Sequence, residues 1–550
     1  MRPTTTKHDR MSSDIEIPFE NQRKGHYRFF EILPGALSWS LLAVPFVLSL
    51  INVKLAAFFM FVYVLINFSR GVAGAIRSMQ GYRTMKQHQK LPWPTLLREL
   101  GQGVIAPQSK RPHWHEIAVK GTEVRPLLMQ PDQLVHAVVI ATYKESRDVL
   151  QPTIEAVLSS AYDMKQVILI LAYEGRAGEP TRIQSQDLIS QYKGKFLDAF
   201  AVEHPANLPG EIIGKGGNVT YAGRELQRYL ESHGIDPLRV LVTTLDADNR
   251  PDPNYLTALS YAYIVCPDPI HSSFQPVALF ANNIWDAPAP MRVLATGNSI
   301  FHLVTSLRSH ALRNFSAHAQ PMVALLKTDF WSVRTIVEDG HQFWRSYFRF
   351  EGNYRVLPLH LPIYQDAVLS DTYWKTLRAQ FLQIRRWTYG ASDIAYVVHM
   401  GFFRKNTVPR FDLIAKTWRL LEGHVSWAAA PLLVLFGGFI PVLFHPTSYG
   451  ALQLPVIVSR IQTVALGMAV VTVFLSLRTL PPKPARYRRH RSIFMVIQWL
   501  YLPVTTIVFN SFAALYSQTR LMLGKYVSKF DVTDKAVVSE GVGGEVKTKL

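Results

Sequence analysis

The stretch LRVLVTTLDAD, residues 238–248, indicates the fold class of this 550-residue chain. Its first eight residues form an apolar run with the length of a buried strand, and Asp246 and Asp248 follow directly. Earlier parts of the chain hold comparable apolar runs, at 135–141, 166–171 and 196–202. We therefore predict four strands with buried faces, the last ending in a pair of carboxylates.

Helical patterns separate these four runs. Apolar residues recur at helical spacing over 146–161, and further helical stretches cover 181–192 and 217–230. Strands that alternate with helices predict an α/β domain with a mostly parallel sheet. In such sheets ligands bind at the carboxyl ends of the strands, which is where the polar residues of this chain lie.

The composition excludes several classes of protein. Lys and Arg number 59 against 40 Asp and Glu, a net charge of +19, yet charged residues are only 18% of the chain. Soluble proteins carry roughly 25% charged residues, and a hydrophobic share of 48% with 12% aromatics excludes a largely disordered chain. Cys266 is the single cysteine, which excludes an intrachain disulfide framework and a cysteine-based metal cluster.

Uncharged apolar runs predict membrane segments at both ends of the chain. Residues 33–51 and 55–68 flank Lys54 and predict a transmembrane hairpin, because roughly 20 apolar residues span a bilayer. The alternative is an uncleaved signal sequence followed by a core helix, but no small-residue cleavage pattern follows the first run. Three more apolar runs lie at 425–444, 461–477 and 492–516.

Basic residues in the loops predict the orientation. Lys and Arg flank the first hairpin on both sides and crowd the loop 481–491, whereas 445–455 contains neither, so residues 73–424 are predicted to be cytoplasmic. The last run contains Pro503 and Asn510, and it either spans the membrane or forms a re-entrant segment. The basic residues of the tail favour a re-entrant segment, which would leave the tail on the cytoplasmic side. Since much of the positive charge lies beside membrane segments, we expect contact with membrane lipid and not with nucleic acid.

These patterns predict seven regions. They are a cytoplasmic N-terminal segment (1–32), a transmembrane hairpin (33–72), a cytoplasmic linker (73–131), the α/β domain (132–400), an interface helix (401–424), C-terminal transmembrane or re-entrant segments (425–517) and a tail (518–550).

Two features of the α/β domain suggest a metal and phosphate site. Asp246 and Asp248 could hold Mg²⁺ or Mn²⁺, which prefer oxygen ligands, or could form a solvated turn. Lys215 lies in a glycine-rich stretch before a predicted helix, an arrangement that suits a phosphate group but also suits a plain turn.

A helical pattern beginning near Tyr373 carries Gln383, Arg386 and Trp387. Gln383 and Arg386 are one turn apart and share a face. The same pattern also fits an amphipathic helix lying on the membrane, with its arginines reaching the headgroups.

Taken in order, these motifs resemble those of the membrane-integrated family 2 glycosyltransferases, which include cellulose, hyaluronan and chitin synthases and bacterial exopolysaccharide synthases. The resemblance covers residues 132–535. The matching residues are Thr142-Tyr143-Lys144-Glu145, Lys215-Gly216-Gly217-Asn218, Asp246-Ala247-Asp248, Val337-Glu338-Asp339, Gln383-x-x-Arg386-Trp387 and the tail Phe530-x-Val532-Thr533-x-Lys535.

The chain departs from the family pattern at several positions. Lys144 replaces the usual Asn, Glu174 stands where members often have Asp, and Val337 replaces Thr. Residues 315–327 lack the glycine-rich pattern expected on the acceptor side. The last departure concerns the acceptor and not the donor chemistry.

The resemblance implies a GT-A fold, a Rossmann-like α/β domain, and a nucleotide-sugar donor that is most often UDP-linked. It implies Asp246 and Asp248 as ligands of Mg²⁺ or Mn²⁺ and Asp339 as the general base of an inverting transfer. The implied donor-binding residues are Thr142, Tyr143, Glu145, Glu174, Lys215, Asp246, Gln383, Arg386 and Trp387.

The expected function is therefore extension of a polysaccharide by an integral membrane enzyme whose catalytic domain faces the cytoplasm. Two alternatives remain open at this point: glycosylation of a membrane lipid, and a transporter or scaffold with an inactive nucleotide domain. Four or five spans make a small channel, so we also consider a homo-oligomer.

Overall fold

The computed structural model describes residues 14–107, 110–488 and 490–527. Within these residues one eight-stranded sheet has the strand order β3-β2-β1-β4-β7-β6-β8-β5. The strands are β1 Val135–Thr142, β2 Val167–Glu174, β3 Asp198–His204, β4 Val240–Asp246, β5 Arg250–Pro251, β6 Ser272–Phe280, β7 His318–Pro321 and β8 Arg355–Gln365.

The α-helices form two groups, one around the sheet and one at the two ends of the chain. In chain order they are α1 His26–Ile51, α2 Val53–Gln89, α3 Trp93–Gln102, α4 His113–Val124, α5 Arg147–Leu158, α6 Glu179–Tyr192, α7 Lys215–His233, α8 Tyr255–Val265, α9 Ala289–Ser306, α10 Met322–Thr328, α11 Glu338–Arg349, α12 Tyr373–Thr388, α13 Asp393–Val398, α14 Arg410–Phe436, α15 Ile440–Phe444, α16 Tyr449–Thr479, α17 Arg491–Ile497, α18 Leu502–Thr505 and α19 Phe512–Met522.

The sheet is mixed. Strands β1 to β4 are mutually parallel, and the four predicted strands correspond to them. The other half of the sheet differs from a simple parallel arrangement, because β7 runs antiparallel to β4 and β6, and β5 antiparallel to β8. Strand β8 returns to the parallel direction beside β6.

Alternate residues of the central strands enter two separate cores. Val138 and Ile140 of β1 pack with α3, α5, α6 and α8 on one face of the sheet. Ala137 and Val139 pack with α7 and α10 on the other face. Burial on both faces explains why these strands are continuous apolar runs and not alternating ones.

Five helical segments are long and apolar enough to cross a membrane, judged by length and composition. They are His26–Ile51, Val53–Gln89, Arg410–Phe444, Tyr449–Thr479 and Arg491–Met522. The first two are the predicted hairpin, with Asn52 at the turn accepting a hydrogen bond from the backbone of Lys54. Helix α2 continues well past the apolar run, to Gln89.

Two of the long apolar segments differ from the prediction. A separate interface helix was expected over 401–424, but α14 runs without a break from Arg410 to Phe436. Pro503 does not interrupt the last segment, because the chain stays helical through a 3₁₀ turn at Gln498–Tyr501 and a π turn at Thr506–Ser511. The predicted motif at 530–535 and Arg489 lie outside the described residues.

Helix α2, one of the long apolar segments, makes a close contact with the sheet domain. A Cβ atom at Gly81 would lie 2.3 Å from the carbonyl oxygen of Leu303 in α9. The absence of a side chain at Gly81 therefore lets the two helices touch, and the contact fixes α2 against the sheet domain.

This contact is testable with alanine. Gly81→Ala should destabilise the protein by about 1–3 kcal/mol, because the clash is with backbone atoms that cannot rotate away. The matched control is Gly74→Ala in the same helix, where a Cβ meets no atom within 4 Å. We expect thermal denaturation of the purified proteins in detergent to give a lower midpoint for Gly81→Ala only; equal midpoints would contradict the contact.

Candidate functional site

The parallel half of the sheet brings four strand ends to one edge. In the strand register Thr142 is opposite Tyr173, Ala141 is opposite Asp246, and Glu174 is opposite His204. The residues that follow these strands therefore form one continuous surface. We refer to it as the carboxyl edge.

Lys215 and Asp246 form an ion pair at the carboxyl edge, with Nζ and Oδ1 2.5 Å apart. Lys215 is the first residue of α7, so the helix begins two residues earlier than predicted and the glycine-rich stretch forms its first turn. Burial lowers the pKa of Lys215, but the carboxylates of Asp246 and Glu338 outweigh it, so this pKa lies above its usual range. The lysine is therefore a fixed positive charge.

Asp248 is held rigidly beside this pair. Only 6% of the residue is exposed. Its Oδ2 accepts a hydrogen bond from the backbone N–H of Asp366 at 3.0 Å, and Asn282 donates to its backbone carbonyl at 2.9 Å. Two other segments thus hold Asp248, one at its carboxylate and one at its backbone, and its burial is unlike that of a solvated turn.

Glu338 and Asp339 begin helix α11 and approach the same cluster. Burial, followed by the charge of Asp339, raises the pKa of Glu338 to about 8. Burial also raises the pKa of Asp339, while Lys215 and Arg386 act in the opposite direction. These mutual influences place the two acidic residues, the lysine and Arg386 within electrostatic range of one another.

A glycine allows α7 and α11 to approach each other. A Cβ at Gly216 would lie 2.2 Å from the carbonyl oxygen of Ser332 and 3.2 Å from the Cβ of Glu338. The absence of a side chain at Gly216 thus allows Lys215 and Glu338 to lie close together. The sequence motif gave no sign of this contact.

The predicted helix with Gln383, Arg386 and Trp387 is α12. Its buried face contains Ile384, which packs in a cluster with Phe509 and Ala513 of the last membrane-associated segment. Trp387 lies 6.2 Å from the ring of Phe280, the last residue of β6. The helix is thus packed between protein elements.

Each of the three motif residues of α12 has a distinct place. Gln383 accepts a hydrogen bond from Gln380 on the same helix, at 3.1 Å. Arg386 acts on the pKa values of Glu338 and Asp339, so it belongs to the charge cluster. Trp387 is half-buried against Phe280 and makes a packing contact in this structure.

The ends of β1 and β2 form a second part of the carboxyl edge. Glu145 accepts hydrogen bonds from the Thr142 hydroxyl at 2.8 Å and from the Tyr143 backbone at 2.7 Å. The Arg176 guanidinium lies 5.1 Å from the ring of Tyr143. Asn218 of α7 donates to the backbone carbonyl of Ala172 at 3.0 Å.

His204, at the end of β3, is a polar residue of the edge that sequence reasoning missed. Its Nδ1 lies 3.1 Å from Glu174, and its Nε2 lies 2.9 Å from Glu211. Burial lowers the pKa of His204, but the two carboxylates outweigh it and raise this pKa to about 9. His204 thus fixes Glu174, which also binds the Nε of Arg176 at 3.1 Å.

An N-terminal strap, residues 14–19, was also missed. Glu16 pairs with the buried guanidinium of Arg345 at 2.6 Å and accepts a hydrogen bond from the Ser332 hydroxyl. The carbonyl of the same Ser332 lies against Gly216. No local pattern could have revealed this link, since more than 300 residues separate Glu16 from both partners.

Comparison with known proteins identifies no family. No protein-family model matches the chain, and no curated protein matches it.

Among solved structures, the chain is similar to the mannosyltransferase PcManGT from Pyrobaculum calidifontis in complex with GDP-Man and Mn²⁺. The sequence identity is 13% and the TM-score is 0.41, and the match covers 89% of this chain and 99% of that one. It is also similar to residues 1–349 of TarS from S. aureus in complex with UDP, at 10% identity and a TM-score of 0.34, over 74% and 98%. The UDP-GlcNAc complex of the same TarS fragment gives a TM-score of 0.35, at the same identity and coverage. At these TM-scores the similarities carry no argument about the activity of this chain.

Because His204 pairs with two carboxylates, we predict that the stability of the protein depends on pH through this residue. Its pKa is raised from 6.5 to about 9, so its charged form contributes stability that is complete below pH 6.5 and is lost as the pH rises through 9. His204→Gln should abolish this part of the pH dependence, while the control His113→Gln, an exposed histidine, should not. The measurement is the thermal midpoint from pH 6.5 to 9; parallel curves for wild type and His204→Gln would refute the charged pair.

Proposed function

We propose that this chain is an inverting, metal-dependent membrane glycosyltransferase. It uses a nucleotide sugar, with a UDP-sugar as the expected donor, to extend a polysaccharide. The observation that carries the proposal is the ion pair between Lys215 and Asp246 at the carboxyl edge, with Glu338 packed against the neighbouring Gly216. Asp339 and Arg386 act on the same group of charges. This edge is the ligand-binding side of a parallel sheet.

The charges suit a departing nucleoside diphosphate. Lys215 begins helix α7, whose N-terminus favours an anion, and its ammonium group adds a full positive charge. The guanidinium of Arg386 can bind two phosphate oxygens at once. Together they would stabilise the negative charge that forms on the diphosphate as its bond to the sugar breaks.

Asp246 and Asp248 fit a divalent cation that shares its ligands with a substrate. Asp246 is one-third exposed and already attracts a cationic group, the ammonium of Lys215. The described residues contain no cluster of three or more metal-binding side chains, so the donor phosphates would complete the coordination. When bound, Mg²⁺ or Mn²⁺ would neutralise charge on the leaving diphosphate.

Asp339 is the proposed base. The acceptor hydroxyl would give its proton to the Asp339 carboxylate while its oxygen forms a bond to the anomeric carbon. In the same displacement the bond from that carbon to the phosphate oxygen breaks, and the nucleoside diphosphate leaves with the electron pair. One such displacement inverts the anomeric configuration.

The ends of β1 and β2 would bind the nucleoside part of the donor. Thr142, Tyr143 and Glu145 form one hydrogen-bonded unit, and Glu174 is held by His204. We assign the base and ribose of the donor to this surface. Gln383 and Trp387 remain assigned to the sugar end of the donor, on α12.

The metal assignment predicts loss of turnover on removal of one carboxylate. Asp248→Asn, or excess EDTA on the wild type, should remove most release of nucleotide from a panel of nucleotide sugars, because the diphosphate loses its counter-charge. Asp187→Asn, an exposed carboxylate on α6, is the control. Full activity in EDTA would exclude the metal; product mass in the same assay distinguishes a polymer from a glycosylated lipid.

Asp339→Asn should lower turnover by about 10²–10⁴-fold, the usual contribution of a general base. Donor affinity, measured by calorimetry, should stay near the wild-type value, because Asp339 is assigned to the acceptor. Glu338→Gln is the comparison variant. If Glu338→Gln is inactive while Asp339→Asn is active, Glu338 is the base; if donor affinity falls together with turnover, Asp339 belongs to the donor site.

We further propose that the catalytic domain is cytoplasmic and that Arg491–Met522 is re-entrant. The start of this segment lies against the sheet domain, where Arg491 donates to the carbonyl of Trp285 at 2.8 Å. Just beyond its end, the Tyr526 hydroxyl donates to Glu31 at 2.7 Å, near the start of α1. Since the residues before α1 are predicted to be cytoplasmic, both ends of the segment would be on that side.

Single cysteines in a Cys266→Ala background test this topology. Thr447→Cys should react with an impermeant maleimide added to intact cells, because it lies in the loop without Lys or Arg. Arg488→Cys and Lys525→Cys should react only after permeabilisation. Labelling of Lys525→Cys from outside would show that the last segment spans the membrane.

A further inference from the structure

Three arginines from distant parts of the chain meet beside the membrane segments. Arg77 belongs to α2, Arg308 follows α9, and Arg419 belongs to α14. The Arg419 guanidinium donates to the backbone carbonyl of His310 at 3.2 Å, which brings α14 against the loop that carries Arg308. We call these three residues the arginine cluster.

The packing of α2 against α9 brings Arg77 close to Arg308. Gly81 lies against the carbonyl of Leu303, and Arg77 is one turn of α2 before that contact. Burial and the charges of Arg77 and Arg419 lower the pKa of Arg308, and burial with the charges of all three arginines lowers the pKa of His310. The Arg419–His310 hydrogen bond and the contact of Gly81 with Leu303 thus bring the three arginines to one region of the surface.

The nearby carboxylates have other partners. Asp412 binds the Lys416 ammonium and accepts a hydrogen bond from the Tyr347 hydroxyl at 2.7 Å. Glu422 pairs with Arg70 at 2.5 Å. Within residues 14–107, 110–488 and 490–527, the arginine cluster forms no ion pair, and its three arginines are half-buried, so the cluster is open to an anion from outside the described chain.

By helix rise, Arg419 lies at the depth of phospholipid headgroups, and Arg77 lies just beyond them on the aqueous side. The Arg70–Glu422 pair lies where the apolar runs of α2 and α14 end. At a rise of about 1.5 Å per residue, Arg77 is about 10 Å beyond that level and Arg419 about 5 Å beyond it. The polar headgroup layer on each side of a bilayer is about 5–8 Å thick.

An exposed apolar stripe on α14 accompanies the cluster. Phe411, Ile414 and Trp418 occupy one face of the helix, at steps of three and four residues, and are 87%, 54% and 65% exposed. Trp418 directly precedes Arg419. Tryptophan beside arginine is typical of the membrane–water interface, where the ring lies at headgroup level.

We propose that Arg77, Arg308 and Arg419 bind the phosphate of an anionic phospholipid, while the ring of Trp418 lies at headgroup level beside Arg419. The forked guanidinium matches phosphate oxygens in pairs. This lipid site is separate from the sugar-transfer site and would hold the sheet domain at a fixed height above the bilayer.

The test uses the full-length protein in nanodiscs of phosphatidylglycerol and phosphatidylcholine, with native mass spectrometry counting the retained lipids. The wild type should retain phosphatidylglycerol in preference to phosphatidylcholine. Each Arg→Gln change in the cluster should weaken this preference about fivefold, from roughly 1 kcal/mol per basic residue near an anionic surface. Arg228→Gln, an exposed arginine of α7 paired with Glu225, is the control.

Variants that keep the charge separate a binding role from a folding role. Arg77→Lys and Arg419→Lys should lose less of the lipid preference than the Gln variants, because lysine keeps the charge but not the forked donors, and thermal midpoints identify any variant that fails to fold. Inorganic phosphate added to the nanodiscs should not displace the lipid. Equal retention in the wild type and a folded Arg77→Gln/Arg419→Gln double variant, or displacement by inorganic phosphate, would overturn the proposal.

Discussion

The ion pair between Lys215 and Asp246 is the contact on which the candidate site depends, because it connects the N-terminus of helix α7 to the end of strand β4. A buried ammonium group without a partner would be strongly unfavourable, so the pair fixes both elements. Glu338 and Asp339 then come close because Gly216 has no side chain to hold them away. Ionic contacts thus hold the site together, and the close approach of α7 to α11 at Gly216 sets the distance between Lys215 and Glu338.

The surrounding structure keeps this cluster rigid from several directions. Asp366 holds Asp248 through its backbone N–H, and the N-terminal strap holds Ser332 through Glu16. His204 holds Glu174 at the neighbouring strand end. Each support comes from a different part of the chain, so the geometry of the carboxyl edge depends on the complete fold and not on a single loop.

The long apolar helices pack against elements that support the candidate site. Helix α12 carries Arg386 on the site side and packs Ile384 against the last helical segment. Gly81 connects α2 to α9, and Gln518 of α19 accepts a hydrogen bond from Ser38 of α1 at 2.6 Å. Segments that are long and apolar enough to cross a membrane therefore also support the candidate site.

The sequence by itself determined the four parallel strands, the polar residues at their ends and the long apolar segments, because burial leaves a local periodicity that can be read from neighbouring residues. It did not predict β5 to β8: β5 and β7 are very short, and β6 and β8 contain prolines that weaken a strand pattern. Only the tertiary structure decided that His204 lies between two carboxylates, that Glu16 supports Ser332 and that Arg419 binds the backbone carbonyl of His310. Those contacts join residues far apart in the chain, and packing, which has no local signature, selects them.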